Sequence, residues 1–426
     1  MRKNLIKYSH WVMLTAVGIT FPLLTGCGGS QHADFAPDGK SVVVSWPVSS
    51  DDMDLFRAPV DGGPVERLKG AERALAPKWS PDGRWIVFAT PVTSPGVGAS
   101  NQGASTPKLA VPGALPADGR KRDAPGKQGP IERIQTDLYD VQTQGVHSLL
   151  FDMGPPFAWE DDSRRLAGIR LTGDRVSICL YDIADAAAFM DVPIPSNPGG
   201  LDNSAMAWIP STDAVAVILS GDVYLSDANQ LHRLTTTGDV IGMGVGSAQQ
   251  SLVWLRSKSV AKSTVTVDCY HLRDASVERV SIIPPPSIPP PAKWSAAPVG
   301  AHAEHAVVSP DGSRAVVVVD ADVPIMGSHA HPDDYKFVFI TDLKQPSLRL
   351  LARYSDTQDK AHSQGAGSGR NGGANSISTL EVIPSWSPDG KKLALVVSNP
   401  DPAVRVYNVD GAGSIRLPPP VVRPPV

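Results

Sequence analysis

Trp79-Ser80-Pro81-Asp82-Gly83-Arg84 and Trp386-Ser387-Pro388-Asp389-Gly390-Lys391 are near copies of one phrase, three hundred residues apart. Phe35-Ala36-Pro37-Asp38-Gly39-Lys40 and Val308-Ser309-Pro310-Asp311-Gly312-Ser313 repeat it with small changes. Weaker forms stand at Trp159-Glu160-Asp161-Asp162-Ser163 and Trp208-Ile209-Pro210-Ser211-Thr212-Asp213. Each residue of the phrase has a separate task. Proline presets φ for the first corner of a turn, aspartate bonds the backbone ahead of it, and glycine takes the positive φ that closes a hairpin.

A run of apolar, largely β-branched residues follows every copy. These are Val42-Val43-Val44, Trp85-Ile86-Val87-Phe88, Leu166-Ala167-Gly168-Ile169, Ala214-Val215-Ala216-Val217-Ile218, Ala315-Val316-Val317-Val318-Val319 and Leu393-Ala394-Leu395-Val396-Val397. Runs without alternation are strands covered on both faces. A third strand ending near an aspartate comes next, as in Leu138-Tyr139-Asp140 and Cys179-Leu180-Tyr181-Asp182, and a short fourth strand closes the unit. Between Thr237 and Ser309, Ser251-Leu252-Val253-Trp254-Leu255 and Thr264-Val265-Thr266-Val267-Asp268 form a further unit with the same order but without the turn phrase. Seven four-stranded meanders, none able to bury both faces alone, predict an all-β chain folded as a single β-propeller. Without the fifth, degenerate unit the count would be six.

The repeats resemble the TolB-like, WD-repeat-like propeller family over residues 35–417. The resemblance implies a propeller, usually of six blades in TolB, and an envelope setting, since TolB docks a peptidoglycan-associated lipoprotein. The small α/β domain that precedes the blades in TolB has no counterpart in the seven residues between Cys27 and Phe35. The hydrolase domain of propeller-bearing peptidases, with its Gly-x-Ser-x-Gly elbow, has none either.

The N-terminal residues read as a secretory signal. Arg2, Lys3 and Lys7 precede an uncharged stretch from Trp11 to Leu24, which is too short to span a membrane that requires about 20 residues. Leu24-Thr25-Gly26-Cys27 resembles the lipobox of bacterial lipoprotein precursors. That resemblance implies cleavage of residues 1–26, diacylglyceryl modification of Cys27 and a short lipidated tether over 27–34. Gly28 stands where an inner-membrane retention aspartate would, so the expectation is a periplasm-facing anchor in the outer membrane. A Pro-rich tail occupies 418–426.

The chain has 39 Lys and Arg against 43 Asp and Glu, a net charge of −4. It thus lacks the sequence-wide basic bias that neutralises phosphates, and nucleic acid is not an expected partner. Cys179 and Cys269 sit in non-adjacent units and are expected as buried, unpaired thiols.

Four low-complexity insertions, at 91–134, 284–301, 321–335 and 355–378, fall either between strands two and three of a unit or between units. In a meander those connections open on one face. The segment carrying Lys121, Arg122 and Lys127 in the first of them could touch anionic lipid or polysaccharide.

A histidine group adds the remaining chemistry: His302, Glu304 and His305 ahead of the sixth blade, and His329, His331, Asp333 and Asp334 in its loop. Imidazole and carboxylate together suit zinc, manganese or iron, but neither spacing is a strong metal motif, so no metal site, cofactor or catalytic residue is assigned. The glycines from Gly365 to Gly373 lack the strand-to-helix setting of a phosphate loop. Asp38, Asp82, Asp311 and Asp389 are read as turn formers.

The functional expectation is a non-catalytic, lipid-anchored scaffold that binds an envelope protein or glycan. The alternative is a metal-dependent polysaccharide lyase or hydrolase using His302, His305, His329 and His331. Oligomeric state is not legible in the sequence.

Overall fold

The computed structural model describes residues 32–48, 52–93, 131–149, 152–172, 175–194, 205–227, 230–246, 250–257, 264–284, 299–323, 333–355, 380–397, 403–411 and 413–419. They form seven four-stranded antiparallel sheets. Blade 1 comprises β1 (Ala33–Phe35), β2 (Ser41–Pro47), β3 (Met53–Pro59) and β4 (Glu66–Arg67). Blade 2 comprises β5 (Leu75–Trp79), β6 (Trp85–Thr93), β7 (Ile131–Asp140) and β8 (Gly145–Ser148). Blade 3 follows with β9 (Met153–Trp159), β10 (Arg165–Thr172), β11 (Arg175–Asp182) and β12 (Ala187–Pro193). Blade 4 contains β13 (Met206–Trp208), β14 (Val215–Leu219), β15 (Asp222–Asp227) and β16 (Gln230–Arg233). Blade 5 contains β17 (Val240–Val245), β18 (Ser251–Ser257), β19 (Val265–His271) and β20 (Ser276–Ile283). Blade 6 contains β21 (Val299–Val308), β22 (Arg314–Val323), β23 (Asp333–Asp342) and β24 (Arg349–Ser355). Blade 7 contains β25 (Val382–Trp386), β26 (Lys392–Val397), β27 (Ala403–Asn408) and β28 (Ser414–Arg416).

In every blade the turn from the first strand into the second is closed by the same hydrogen bond, between residues five apart. The loop's first N–H donates to its last carbonyl: Ala36 to Ser41, Ser80 to Trp85, Glu160 to Arg165, Ile209 to Ala214, Gly246 to Ser251, Ser309 to Arg314 and Ser387 to Lys392. Blade 5, which lacks the turn phrase, keeps this register and is a true seventh blade. The aspartates act as expected. Oδ1 of Asp38, Asp82, Asp311 and Asp389 accepts the N–H two residues on, and Gly39, Gly83, Gly312 and Gly390 take φ between 65° and 73°.

Ring closure is apolar. Seven buried clusters each straddle two neighbouring blades, the last joining Phe35, Val42 and Phe56 of blade 1 to Ala394, Val396 and Val404 of blade 7. Among the described residues every sheet is built from four consecutive strands, with no strand exchanged between the first and last blades. Polar stitches supplement the packing. Trp159 Nε1 donates to the Lys78 carbonyl and Trp386 Nε1 to that of Val307, which ties blades 3 and 7 to their predecessors, whereas Trp208 Nε1 donates within its own turn, to the Thr212 carbonyl. Asp34 of blade 1 accepts from Lys78 Nζ and the Trp79 N–H of blade 2.

The regular strands run further into the expected insertions than composition suggested. Residues 91–93, 131–134, 299–301, 321–323, 333–335 and Ser355 belong to strands, because a backbone ladder continues wherever a partner strand offers hydrogen bonds, whatever the side chains. The strand ends that these segments join all lie on the face opposite the six-residue turns. We call the two faces the insertion face and the turn face.

Candidate functional site

β21 is the inner strand of blade 6, and it is irregular. Its register against β22 shifts between Val299 and His302 and again between Ala303 and His305, so that His302 pairs with Asp320 and His305 with Val318. In a regular strand residues three apart point to opposite faces. The second bulge brings His302 and His305 onto one face. The expectation that His302, Glu304 and His305 precede blade 6 is thereby corrected, since they form part of its innermost strand. Asp333 and Asp334, expected in a loop, open β23 opposite Val323 and Asp322. His329 and His331 lie outside the described residues, as do Leu24, Thr25, Gly26 and Cys27, the basic residues Lys121, Arg122 and Lys127, and the stretch Gly365 to Gly373.

The shared face of His302 and His305 is the one turned toward blade 7. Val316, Val318 and Val338 on that face pack with Leu380, Val382 and Leu395 of blade 7. Above this apolar layer the face becomes ionic. Lys336 Nζ lies 2.7 Å from Glu304 Oε2 and 3.0 Å from Asp320 Oδ2, with its side chain only 5% exposed. Burial alone would lower the lysine's affinity for its proton, but the two carboxylates outweigh it and raise its pKa. Glu381, just ahead of β25, has its carboxyl pushed up by burial and by Glu304, an effect Lys336 opposes in part.

His32, immediately before β1, completes the group from blade 1. Its backbone carbonyl accepts from the Ser45 N–H and its N–H donates to Ser45 Oγ, which places it at the level of His305. The two blades are separated by blade 7, yet the histidines sense each other across the ring. Burial and the His305 charge lower the His32 pKa to about 4, and burial lowers that of His305 too. Both imidazoles are therefore neutral at pH 7. At the same level the other inner strands carry Leu75, Gly154, Ala205, Gly242 and Ile383. The two histidines of this level come from blades 6 and 1; one residue higher, Thr90 with Asp137 in blade 2, Arg170 with Asp191 in blade 3 and Arg256 with Asp239 in blade 5 form polar pairs of their own.

This geometry makes a pH prediction. The unfolded chain protonates His32 near 6.5, whereas the folded chain resists until about pH 4. The unfolded state therefore binds more protons between those values, and stability falls on acidification through that window by up to about 3 kcal/mol from this residue. Urea denaturation should show His32→Gln losing less stability than wild type between pH 6.5 and 4. Parallel losses would refute the assignment.

Among the described residues, no group of three or more His, Cys, Asp or Glu side chains has the arrangement of a metal site. Cys179 and Cys269 are free and buried in different blades. Burial raises the Cys179 thiol to about 11, which makes it a poor nucleophile.

Fold and site together define a seven-bladed β-propeller in which His305 of blade 6 and His32 of blade 1 stand at one level of the central ring, beside the Lys336 ion pairs. No protein-family model matches the chain, and no curated protein matches it. Its fold is shared with solved propellers. An oligogalacturonate lyase in complex with manganese aligns at 11% identity over 88% of this chain and 87% of that chain, with a TM-score of 0.51. The β-propeller domain of the Trilobed protease from Pyrococcus furiosus, described as having an open velcro topology, aligns at 10% identity over 89% and 94%, with a TM-score of 0.50. TolB from Acinetobacter baumannii aligns at 12% identity over 91% and 63%, with a TM-score of 0.42. At such identities the likeness to the first two establishes the propeller fold alone.

Proposed function

We propose that this chain is a lipid-anchored envelope protein whose propeller is a non-catalytic scaffold, binding an envelope protein or a glycan at its insertion face. The anchor is a lipid on Cys27, and the location is the periplasmic side of the outer membrane. One observation carries the binding reading. Glu304, His305, Asp320 and Lys336 of blade 6, Glu381 of blade 7 and His32 of blade 1 gather in one sector, while blades 2 to 5 carry aliphatic residues or glycine at the level of the two histidines. Neutral imidazoles and hydrogen-bonded carboxylates suit the hydroxyl and amide groups of sugars and peptides.

The test is in-cell crosslinking followed by pull-down, comparing the intact protein with a Glu304→Gln/His305→Ala variant and with a deletion of residues 97–130. A partner enriched by the intact protein and lost from the double variant is the expected result. Equal enrichment by both would remove the sector from the binding surface. If no protein is enriched, envelope polysaccharides and peptidoglycan fragments are screened with the same pair, and absence of binding there too would end the scaffold reading.

The anchor has its own prediction. Cys27→Ser should convert a detergent-partitioning protein into a soluble, unprocessed one. Continued partition of that variant into detergent would contradict lipidation.

A second reading draws on the convergence of His302 and His305 on one face. It is a metal-dependent polysaccharide lyase or hydrolase in which His329 and His331 join them. Stoichiometric metal in protein purified without chelators would favour it, and metal-free protein would count against it.

A further inference from the structure

We infer that the insertion face of the propeller lies against the bilayer, with the tall upper rims of blades 6 and 2 in the lipid headgroup layer and the turn face directed away. The inference rests on lipidation of Cys27 and adds an orientation to it.

The argument is one of reach. His32 stands at the start of the innermost strand of blade 1, and β1 runs from it toward the turn face. The preceding residues therefore leave toward the insertion face. A reversal toward the turn face would use about four residues, and only five steps separate His32 from Cys27. Fully extended, five residues span roughly 17 Å. The acylated cysteine is thus held within about that distance of the level of His32 and His305.

The rim of the propeller reaches the same height. β22 continues five residues beyond Val318, the partner of His305, to Val323, and β6 continues four residues beyond Ala89, the partner of Leu75, to Thr93. In the other five blades the second strand ends one to three residues above that level. At about 3.3 Å per residue, blade 6 stands roughly 17 Å above His32, level with the furthest position Cys27 can take. The acyl chains must enter hydrocarbon, and the polar layer over it is only about 5–8 Å thick. A bilayer that accepts the lipid therefore meets blades 6 and 2.

A ligand that reaches the polar sector then has to be present at the membrane surface, and partners approaching from solution meet the turn face.

The experiment uses natively acylated protein in vesicles of phosphatidylethanolamine and phosphatidylglycerol doped with headgroup spin-labelled lipid. A fluorophore is placed at Asp322→Cys, on the rim of blade 6, or at Lys344→Cys, on the turn face of the same blade. Both parent side chains are exposed, and the buried Cys179 and Cys269 do not compete for label. Flotation is measured first, beside the Cys27→Ser form. Quenching of the rim label but not of the turn label is expected. It should be lost when about 20 Gly/Ser residues, spanning roughly 25 Å, are inserted between Ser30 and Gln31, with flotation kept. Floating protein in which the turn label is quenched as strongly as the rim label, or in which the spacer changes nothing, would overturn the orientation while leaving the anchor intact. Wild-type protein that fails to float would remove the anchor and the orientation together.

Discussion

Gly242→Ala should lose about 3 kcal/mol of stability or more, because the added methyl has nowhere to go. A Cβ at Gly242 would stand 1.9 Å from the carbonyl oxygen of Ala306, and one at Gly244 would stand 2.7 Å from Val308 Cβ. The inner strands of blades 5 and 6, β17 and β21, thus approach backbone to backbone. Carbonyl oxygens do not rotate aside as side-chain ends do, so relief requires the two blades to separate. Separation would open the apolar cluster of Leu255, Val267, Ala306, Val317 and Phe337 that they share. Gly39→Ala is the control. Its φ of +66° is strained for alanine, but nothing lies within 4 Å of the new atom, and the cost is about 1–2 kcal/mol. Urea denaturation of both variants at pH 7 checks the order, and a Gly242→Ala protein as stable as Gly39→Ala would show that the interface yields.

The second large effect is expected at Lys336. Its ammonium is almost fully buried between Glu304 and Asp320, whose side chains are 42% and 25% exposed. Lys336→Met keeps the aliphatic stem's volume and removes the charge, leaving two carboxylates, with Glu381 nearby, to repel one another. Breaking a fully buried pair costs about 3–5 kcal/mol. Because both carboxylates retain water, the expectation here is about 2 kcal/mol at pH 7. The sign of the pH dependence follows. The Lys336 pKa is raised, so its stabilisation is present throughout neutral pH and is lost only as pH rises through that elevated value. The penalty in Lys336→Met should instead shrink on acidification, as protonation removes the charges that repel one another. Adding Glu304→Gln should restore part of the loss. A Lys336→Met protein with wild-type stability at pH 7 would mean that the three groups are not coupled.

Both sites bear on how much of the molecule could be read in advance. The turn phrase was legible because it is local. Pro, Asp and Gly act within the six residues they occupy, and every one of the four full copies forms the same hydrogen-bonded loop. Blade 5 shows that the phrase is not required, since the Gly246 N–H donates to the Ser251 carbonyl without it. What secures that blade is Gly242 and the close approach to blade 6, a long-range fact that a single glycine among 38 does not advertise.

The polar sector was legible only in part. His302, Glu304 and His305 stood out by composition, but their common face depends on a bulge in β21, which exists because β22 imposes its own register. The three-residue spacing of the two histidines was the available signal, being compatible with one face of a strand only through such a bulge. His32, Asp320, Lys336 and Glu381 carried no signal at all. Their partners lie on other strands or other blades, and no local pattern records which residues a seven-membered ring brings to the same height.

Local chemistry in the sequence determined the repeat, the turn, the run of buried strands and the one face on which the insertions open, because each depends on neighbours along the chain. Tertiary structure settled the blade count at the seven units counted in the repeats, and it alone decided the backbone contact at Gly242, the gathering of charge between blades 6, 7 and 1, and the height of the rims relative to His32. Those properties arise where non-local strands meet, and they are set by register and closure of the ring.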